Sequence, residues 1–443
     1  MRLTVIFLLL FLGCSLQEDN NSSYLPNVNG VWKFTNTYGG MKEDIAHGIT
    51  TTADGGFIVV GNTQSTDGDF FEKTREGSDI FLMKFDAFEQ HEWTKTYGGS
   101  DDDRGYDVVQ LPDQGYALIG YSNSNDGDAT NNEGQHDNWL IRTDAKGTLL
   151  WQKSFGFLGH DHAYNIITTA DGGLFFNGYL DVTASNGAGQ DGKQIRQQQK
   201  HGVGEFWCHK VDASGNLEWR RYFGGTSNDR SYDAIETRDG HFILAGTSES
   251  QDVDVSDPKG GYDIWILKLD EKGNLIWEKS IGGSLYDGAQ AVVEQSNGNY
   301  LVLGQTYSRD GDIQFPRGSS DVLLAELSPD GTLLSAHSYG TPEFETANDM
   351  ILRPDGTLVV VGHSSPQNIT PDQSPMSNDV QLYYLLKENT IRKYQLSGSG
   401  LDVGHHLAMQ SDGSVIVVGS TTSSDGDFQN TKGDADIFIA IWY

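Results

Sequence analysis

The sequence predicts an all-β protein: a seven-bladed β-propeller with four-stranded blades, its ring closed by an N-terminal strand that completes the last blade. Three observations predict it. A unit of about 58 residues recurs seven times, each unit carries four short strand patterns, and the last unit lacks a strand that stands at the other end of the chain.

The repeat is read from two landmarks. Tyr-Gly-Gly stands at Tyr38 and Tyr97 and returns in degenerate form at Phe155, Phe223, Ile281, Tyr339 and near Ser397. An Asp or Asn leading into glycine stands at Asp54, Asp113, Asp171, Asp239, Asn297, Asp355 and Asp412. These are 59, 58, 68, 58, 58 and 57 residues apart, so the third unit carries an insertion.

Within the second unit, residues 104–111 run to the turn Pro112-Asp113-Gln114-Gly115, and residues 116–120 are apolar enough for a strand buried on both faces. After a polar loop, residues 138–141 form a third strand, Asp144-Ala145-Lys146-Gly147 a turn, and a last strand runs through Leu149 and Trp151. Those two residues are two apart and so are expected on one face, as are Leu217 with Trp219 and Leu275 with Trp277. No unit shows a long 3.6-residue period, and glycine and β-branched residues punctuate throughout.

At the C-terminus, residues 436–443 read as a third strand with no fourth after it. Trp32 and Phe34 occupy the places of Leu149 and Trp151, so residues 31–38 are expected to finish the seventh blade and protect its edge. One closed ring therefore accounts for residues 31–443 without a domain boundary.

Net charge is −32, from 62 acidic against 30 basic residues, which argues against nucleic acid and against polybasic membrane contact. It suits either solubility outside a cell or cation binding. Residues 1–13 read as a signal peptide: Arg2 supplies the positive start, Leu3 to Leu12 the apolar stretch, and Gly13-Cys14 the processing site. Leu12-Gly13-Cys14 resembles the bacterial lipobox, in which the cysteine is acylated, so Cys14 is the expected lipidation site, with palmitate among its acyl chains. The apolar stretch is too short to span a bilayer. Residues 14–30 then form a polar, lipid-anchored tether, whose Gln17-Glu18-Asp19 is similar to the acidic stretch of surface-exported lipoproteins of the Bacteroidota. This predicts an extracytoplasmic protein held at the outer membrane, facing the periplasm or the cell surface. Cys208 is then left without an intramolecular partner, at a position that is Leu or Ile in other units, and is expected to be buried apolar filler.

The units resemble the β-propeller repeats of secreted and lipid-anchored Bacteroidota proteins. The resemblance rests on Tyr97-Gly98-Gly99-Ser100, Asp54-Gly55-Gly56, Asp126-Gly127-Asp128 and the Asp270-x-x-Gly273-x-x-x-Trp277 run, and covers residues 31–443. It implies a surface lipoprotein with a propeller and no assigned activity. Asp-x-x-Gly-x-x-x-Trp is also similar to the repeat of quinoprotein dehydrogenases, whose rings typically close with eight blades. The sialidase Asp-box requires a serine and a spacing absent here.

In a pseudo-symmetric ring, residues present in every unit are expected to hold the unit together, and a ligand site is expected among departures from the repeat. Acidic residues open the first strand at Asp44, Asp103, Asp161, Asp229, Asp287, Glu345 and Asp402. Others precede the third strand at Asp79, Asp137, Glu205, Asp263, Asp321, Asp379 and Asp436. Both sets are expected to accept backbone N–H groups at turns and strand ends. Five units carry an Asp-x-Asp loop: Asp67 with Asp69, Asp126 with Asp128, Asp252 with Asp254, Asp310 with Asp312, and Asp425 with Asp427. Alternating carboxylates can wrap Ca²⁺ or cap turns without an ion, and both readings stand at this point. The insertion of the third unit brings Lys193, Arg196, Lys200 and His201 together, a basic excursion that is a candidate contact for an unidentified surface protein or glycan. His160 and His162, two apart, could face one metal ion, but the sequence shows no third ligand. His405 and His406 likewise show no partners. No catalytic motif occurs. The reading is a non-enzymatic, lipid-anchored binding or scaffold module. The alternative is a carbohydrate-active enzyme, a lyase or glycoside hydrolase with two carboxylates in the funnel.

Overall fold

The structure, a computed structural model, describes residues 30–189, 201–365, 377–386 and 390–443. Cys14 with its signal and tether, and Lys193, Arg196 and Lys200, lie outside the described residues. Strands β1 to β28, in chain order, form seven four-stranded antiparallel sheets. Blade 1 holds β2 (Asp44–Thr51), β3 (Phe57–Thr63), β4 (Asp79–Phe85) and β5 (His91–Tyr97). Its order β2-β3-β4-β5 is repeated by the next five blades, as short turns between consecutive strands require. No helix among the described residues is long and apolar enough to cross a membrane.

The first strands adjoin one another in a closed circle and form the inner wall: β2, β6 (Asp103–Gln110), β10 (His162–Thr168), β14 (Asp229–Glu236), β18 (Asp287–Glu294), β22 (Phe344–Leu352) and β26 (Asp402–Met409). Second strands such as β3 and β7 (Tyr116–Ser122) are buried along their whole length, because a neighbouring blade covers each face. Their unbroken apolar runs follow from that position. Between blades 1 and 2, Ile58, Val60, Ile80 and Leu82 pack on Val108, Leu118, Trp139 and Ile141. Each such side chain contributes about 1.5–3 kcal/mol by leaving water.

Ring closure follows the sequence prediction. β1 (Trp32–Tyr38) pairs antiparallel with β28 (Asp436–Trp442), completing a sheet with β27 (Val415–Thr421) and β26. Trp32 lies opposite Trp442 and Phe34 opposite Ile441, as Leu149 lies opposite Thr143 and Trp151 opposite Arg142 in blade 2.

One expectation is corrected. Leu149 and Trp151 do not share a face: Leu149 packs on the core between blades 1 and 2, Trp151 on that between blades 2 and 3. Leu275 and Trp277 divide in the same way. In both blades a β-bulge at the start of the outer strand adds one residue and breaks the period of two.

The freed tryptophan becomes a latch to the next blade. Trp219 donates its indole N–H to Glu271 O (3.1 Å), and Trp277 donates to Pro329 O (3.2 Å). Gly273, at φ +75°, lies so close that a Cβ would stand 2.6 Å from the Trp219 ring, so Asp-x-x-Gly supplies both the left-handed turn and the seat for the indole. Gly273→Ala is therefore expected to destabilise by about 2–4 kcal/mol, combining left-handed strain with overpacking. Gly240, at φ +77° with nothing within 4 Å, provides the comparison, since alanine there carries the backbone strain alone. Equal losses of melting temperature in the two variants would remove the latch.

Candidate functional site

The repeated carboxylates are structural, as expected. Asp44 is fully buried and accepts from Gly40 N (2.7 Å), Thr63 Oγ1 (2.5 Å) and Ser65 Oγ (2.8 Å). Asp103 and Asp287 repeat this set with Gly99 N and Gly283 N, each at 2.8 Å. In the second set, Asp137 accepts from Glu133 N (2.8 Å), Glu205 from Gly202 N (2.8 Å) and Asp321 from Arg317 N (2.6 Å), whereas the buried Oδ1 of Asp79 has no hydrogen-bond partner among the described residues. The two sets converge on the first glycine of Tyr-Gly-Gly. A Cβ on Gly98 would stand 2.6 Å from Asp79 Oδ1 and 2.9 Å from Asp103 Oδ2, which explains that landmark. Burial pushes Asp79 up to about 7, Asp263 to about 6 and Asp161 to about 8.

The Asp-x-Asp loops grip the same turns. Asp67 accepts from Met41 N (2.9 Å) and Asp69 from Gly39 N (2.8 Å). Asp126 and Asp128 take Ser100 N (2.8 Å) and Gly98 N (3.3 Å). Asp252 with Asp254, Asp310 with Asp312 and Asp425 with Asp427 do the same for Thr226 and Gly224, Ser284 and Gly282, and Ser399 and Ser397. These bonds cap the turns, as one of the two sequence readings expects. The central glycine has positive φ, +57° at Gly68 and +64° at Gly127, and blade 4 puts Val253 there at +60°.

On the opposite face, buried cations meet the Asp-Gly turns. Lys84, Arg142, Lys210 and Lys268 reach Asp54 (2.9 Å), Asp113, Asp171 (2.9 Å) and Asp239 (3.1 Å). Sequence reasoning missed these pairs, although each base stands five residues after the acid that precedes its strand. A cleft of about 720 Å³ between blades 1 and 2 includes Trp93, Tyr116, Lys84, Asp54 and Glu92. Both of those carboxylates ion-pair with Lys84, at 2.9 and 3.3 Å.

Inside the ring, the fourth residue from each opening acid carries the largest departures from symmetry. His405, His47, Tyr106, Tyr164 and Tyr232 form a continuous arc across five inner strands, with successive ring centroids 5.4, 4.9, 5.0 and 5.3 Å apart. Burial lowers His47 to about 4 and His405 to about 3, so both are neutral near pH 7. At the inner-strand bulges Asp107, Asp233 and Asp349 each bind backbone N–H groups with both oxygens, including Ile166 N, Val292 N and Leu407 N of the following blade. His406, without partners in the sequence, lies 3.1 Å from Asp349. His405 lies 3.3 Å from Ser420 Oγ.

The other departures gather at the rim where blades 2, 3 and 4 meet, on the face of the Asp-x-Asp loops. His136, just before β8 (Asp137–Thr143), lies 2.8 Å by Nδ1 from His162 Nε2 and 3.2 Å from His160 Nδ1. It is the third histidine that the sequence did not disclose, 24 residues away in the preceding blade. Tyr121 stacks on His136 at 4.3 Å and lies 4.2 Å from the His162 ring, while its hydroxyl donates to Asp102 (2.9 Å), which also accepts from Arg104 Nε (3.1 Å). Tyr179 lies 4.9 Å from His162, and Arg230 stands 4.7 Å over the Tyr179 ring. Burial and the neighbouring cationic groups lower His136 to about 4 and His162 to about 2.

His201 is built into the fold. Its Nδ1 lies 3.2 Å from Glu205 Oε2 and its ring meets Tyr222 edge-on at 5.0 Å. Burial drives Glu205 up to about 10 and lowers His201, so the contact joins two neutral groups. Cys208 is fully buried in the core between blades 3 and 4, as expected.

No protein-family model matches the chain. A stretch of 210 residues is 28% identical to Regulatory protein FlaEY of Caulobacter vibrioides, covering 44% of this chain and 21% of that protein. The chain thus spans about a fifth of the length of that relative. Similar solved structures include the WD40 domain of Neurospora crassa Pan2, at TM-score 0.47 and 12% identity over 91% of this chain and 89% of that one. A Dyadobacter fermentans protein of unknown function matches at TM-score 0.47 and 10% identity, covering 93% and 98%. The β-propeller domain of the Trilobed protease from Pyrococcus furiosus matches at 0.43 and 11%, covering 93% and 94%.

Proposed function

We propose that this β-propeller is a non-enzymatic binding or scaffold module, anchored through lipid on Cys14 at the outer membrane and facing outward from the cytoplasm. One observation carries the reading. Acids that open the inner strands, such as Asp44, Asp103 and Asp287, serve backbone donors, whereas Arg104, Tyr121, His136, His162, Tyr179 and Arg230 break the repeat together on one rim. A symmetric frame with one asymmetric aromatic and cationic patch is built to present a surface. Tyr121 and Tyr179 are buried beneath this rim and hold its side chains in place, while Arg230 is exposed and Arg104 half-buried. Guanidinium groups so placed suit pairing with anionic groups of a surface protein or glycan. A glycoside hydrolase would need two available carboxyls, but Asp107, Asp233 and Asp349 already hold backbone N–H groups with both oxygens.

Cys14→Ser is expected to move the protein out of the membrane fraction and to abolish labelled-palmitate incorporation. Retention of the variant in membranes, with no label on the wild type, would reject the anchor. Glycan and surface-protein arrays probed with the wild type should give a ligand whose signal disappears in Arg104→Ala and Arg230→Ala. The same signal should survive Lys146→Ala on the opposite face. Persistence of the signal in the rim variants would place binding elsewhere.

A further inference from the structure

We propose that His136, His160 and His162 bind one zinc-class divalent ion at the rim between blades 2 and 3, leaving a fourth coordination position toward solvent. Their ligand nitrogens all lie within 4.8 Å of one another, and they form the one such group of three found among the described residues. Two of the spacings are 2.8 and 3.2 Å. Nitrogens on a tetrahedral ion bound at about 2.0–2.1 Å are about 3.3 Å apart, so little movement is required.

The triad is hard to explain as a hydrogen-bond cluster. A ring nitrogen has a single in-plane lobe, which either carries a proton or accepts one. His136 Nδ1 faces both His162 Nε2 and His160 Nδ1, so one linear hydrogen bond at most is satisfied there. A cation between the three lone pairs engages all of them.

The backbone beneath the triad is pinned. Residues 136 and 160 form a parallel β-bridge, Asp161 N donates to His136 O (2.7 Å), and the Asp161 carboxylate accepts from Phe157 N and Asp181 N. Equivalent bridges join Glu43 with Ala435, Ser320 with Phe344, and Asn378 with Leu401. The bridge is thus part of the repeat, but the histidines belong to this junction alone, and the frame does not need them. Tyr121, stacked on His136 and tilted by 32° against His162, packs on both rings and restrains them. Asp102 offsets the charge of Arg104 beside the cluster.

Ligand type selects the ion. Three imidazoles with no carboxylate suit Zn²⁺, with Co²⁺, Ni²⁺ and Cu²⁺ as substitutes in the order of their intrinsic affinities, and do not suit calcium or magnesium. His160 is exposed, so the site is of the open type, with three protein ligands and one exchangeable position.

The inference does not depend on the lipid anchor or on the rim's partner, because its test reads the metal alone. The full chain, solubilised and stripped with chelator, should take up one equivalent of Zn²⁺ against a chromophoric competitor. With Co²⁺ it should show the visible bands of a tetrahedral ion. His160→Ala removes an exposed side chain, so the fold is expected to persist while zinc affinity falls by about 100-fold or more, at least the loss typical of an outer-shell partner. His162→Ala should do the same, and His337→Ala, remote from the rim, should change nothing. Zinc should raise the melting temperature of the wild type and not of His160→Ala. Absence of stoichiometric zinc uptake, or unchanged affinity in both His160→Ala and His162→Ala, would overturn the site.

Discussion

Deleting residues 1–40 is expected to make the ring unfold at a much lower temperature or aggregate, whereas deleting residues 15–28 should leave melting unchanged. The first deletion removes β1, the fourth strand of the closing blade, and bares the edge of β28 along the register from Trp442 to Ile437. Ile437, Phe438, Ile439 and Ile441 are fully buried in the closed ring, and the Trp32 ring covers Trp442 at 5.2 Å. The deletion also takes away the N–H groups of Gly39 and Gly40, on which Asp69 and buried Asp44 depend. Each buried acceptor left unpaired costs about 1–3 kcal/mol, and an unpaired apolar edge is a template for aggregation. Equal melting of the full chain and both deletions would show that β1 does not close the ring.

Stability should fall as pH rises from about 4 to 8. Burial pushes Asp79 and Asp233 up to about 7, Asp137 and Asp263 to about 6, and Asp161 to about 8. In the unfolded chain these carboxyls titrate near 3.9. Between the two values the folded state holds protons that the unfolded state has released, so the stability these groups contribute is present below about pH 4 and lost as pH climbs through 6 to 8. Asp54, Asp171 and Asp239 oppose this at the acid end. Burial raises them, but a threonine hydroxyl and a buried lysine outweigh it and hold each at about 2. Their contribution is lost as pH falls from about 4 toward 2, so the melting temperature should peak in mild acid. Repulsion within a −32 chain also grows with pH, but it is screened by salt. The decline above pH 6 should therefore persist in about 1 M salt, where the Debye length is about 3 Å, and should be shallower in Asp79→Asn. A melting profile that is flat or rising from pH 5 to 8 at high salt would refute the buried-carboxyl account.

What the sequence by itself determined is the repeating frame: seven units, four strands each, closure by residues 31–38, and the acids that cap the turns. These features depend on local chemistry, such as strand alternation, glycine turns and short carboxylates beside backbone donors, and sevenfold repetition makes each local signal legible. Contacts between units were decided by the tertiary structure. Leu149 and Trp151 part company because a bulge, invisible in a period of two, lies between them. Lys84 finds Asp54 through the strand order of its blade. His160 and His162 acquire His136 because the ring brings the end of one blade's loop against the start of the next blade's inner strand. Sequence spacing carries no record of which residues of neighbouring blades face one another across a rim. Only the closed packing of the blades sets those distances.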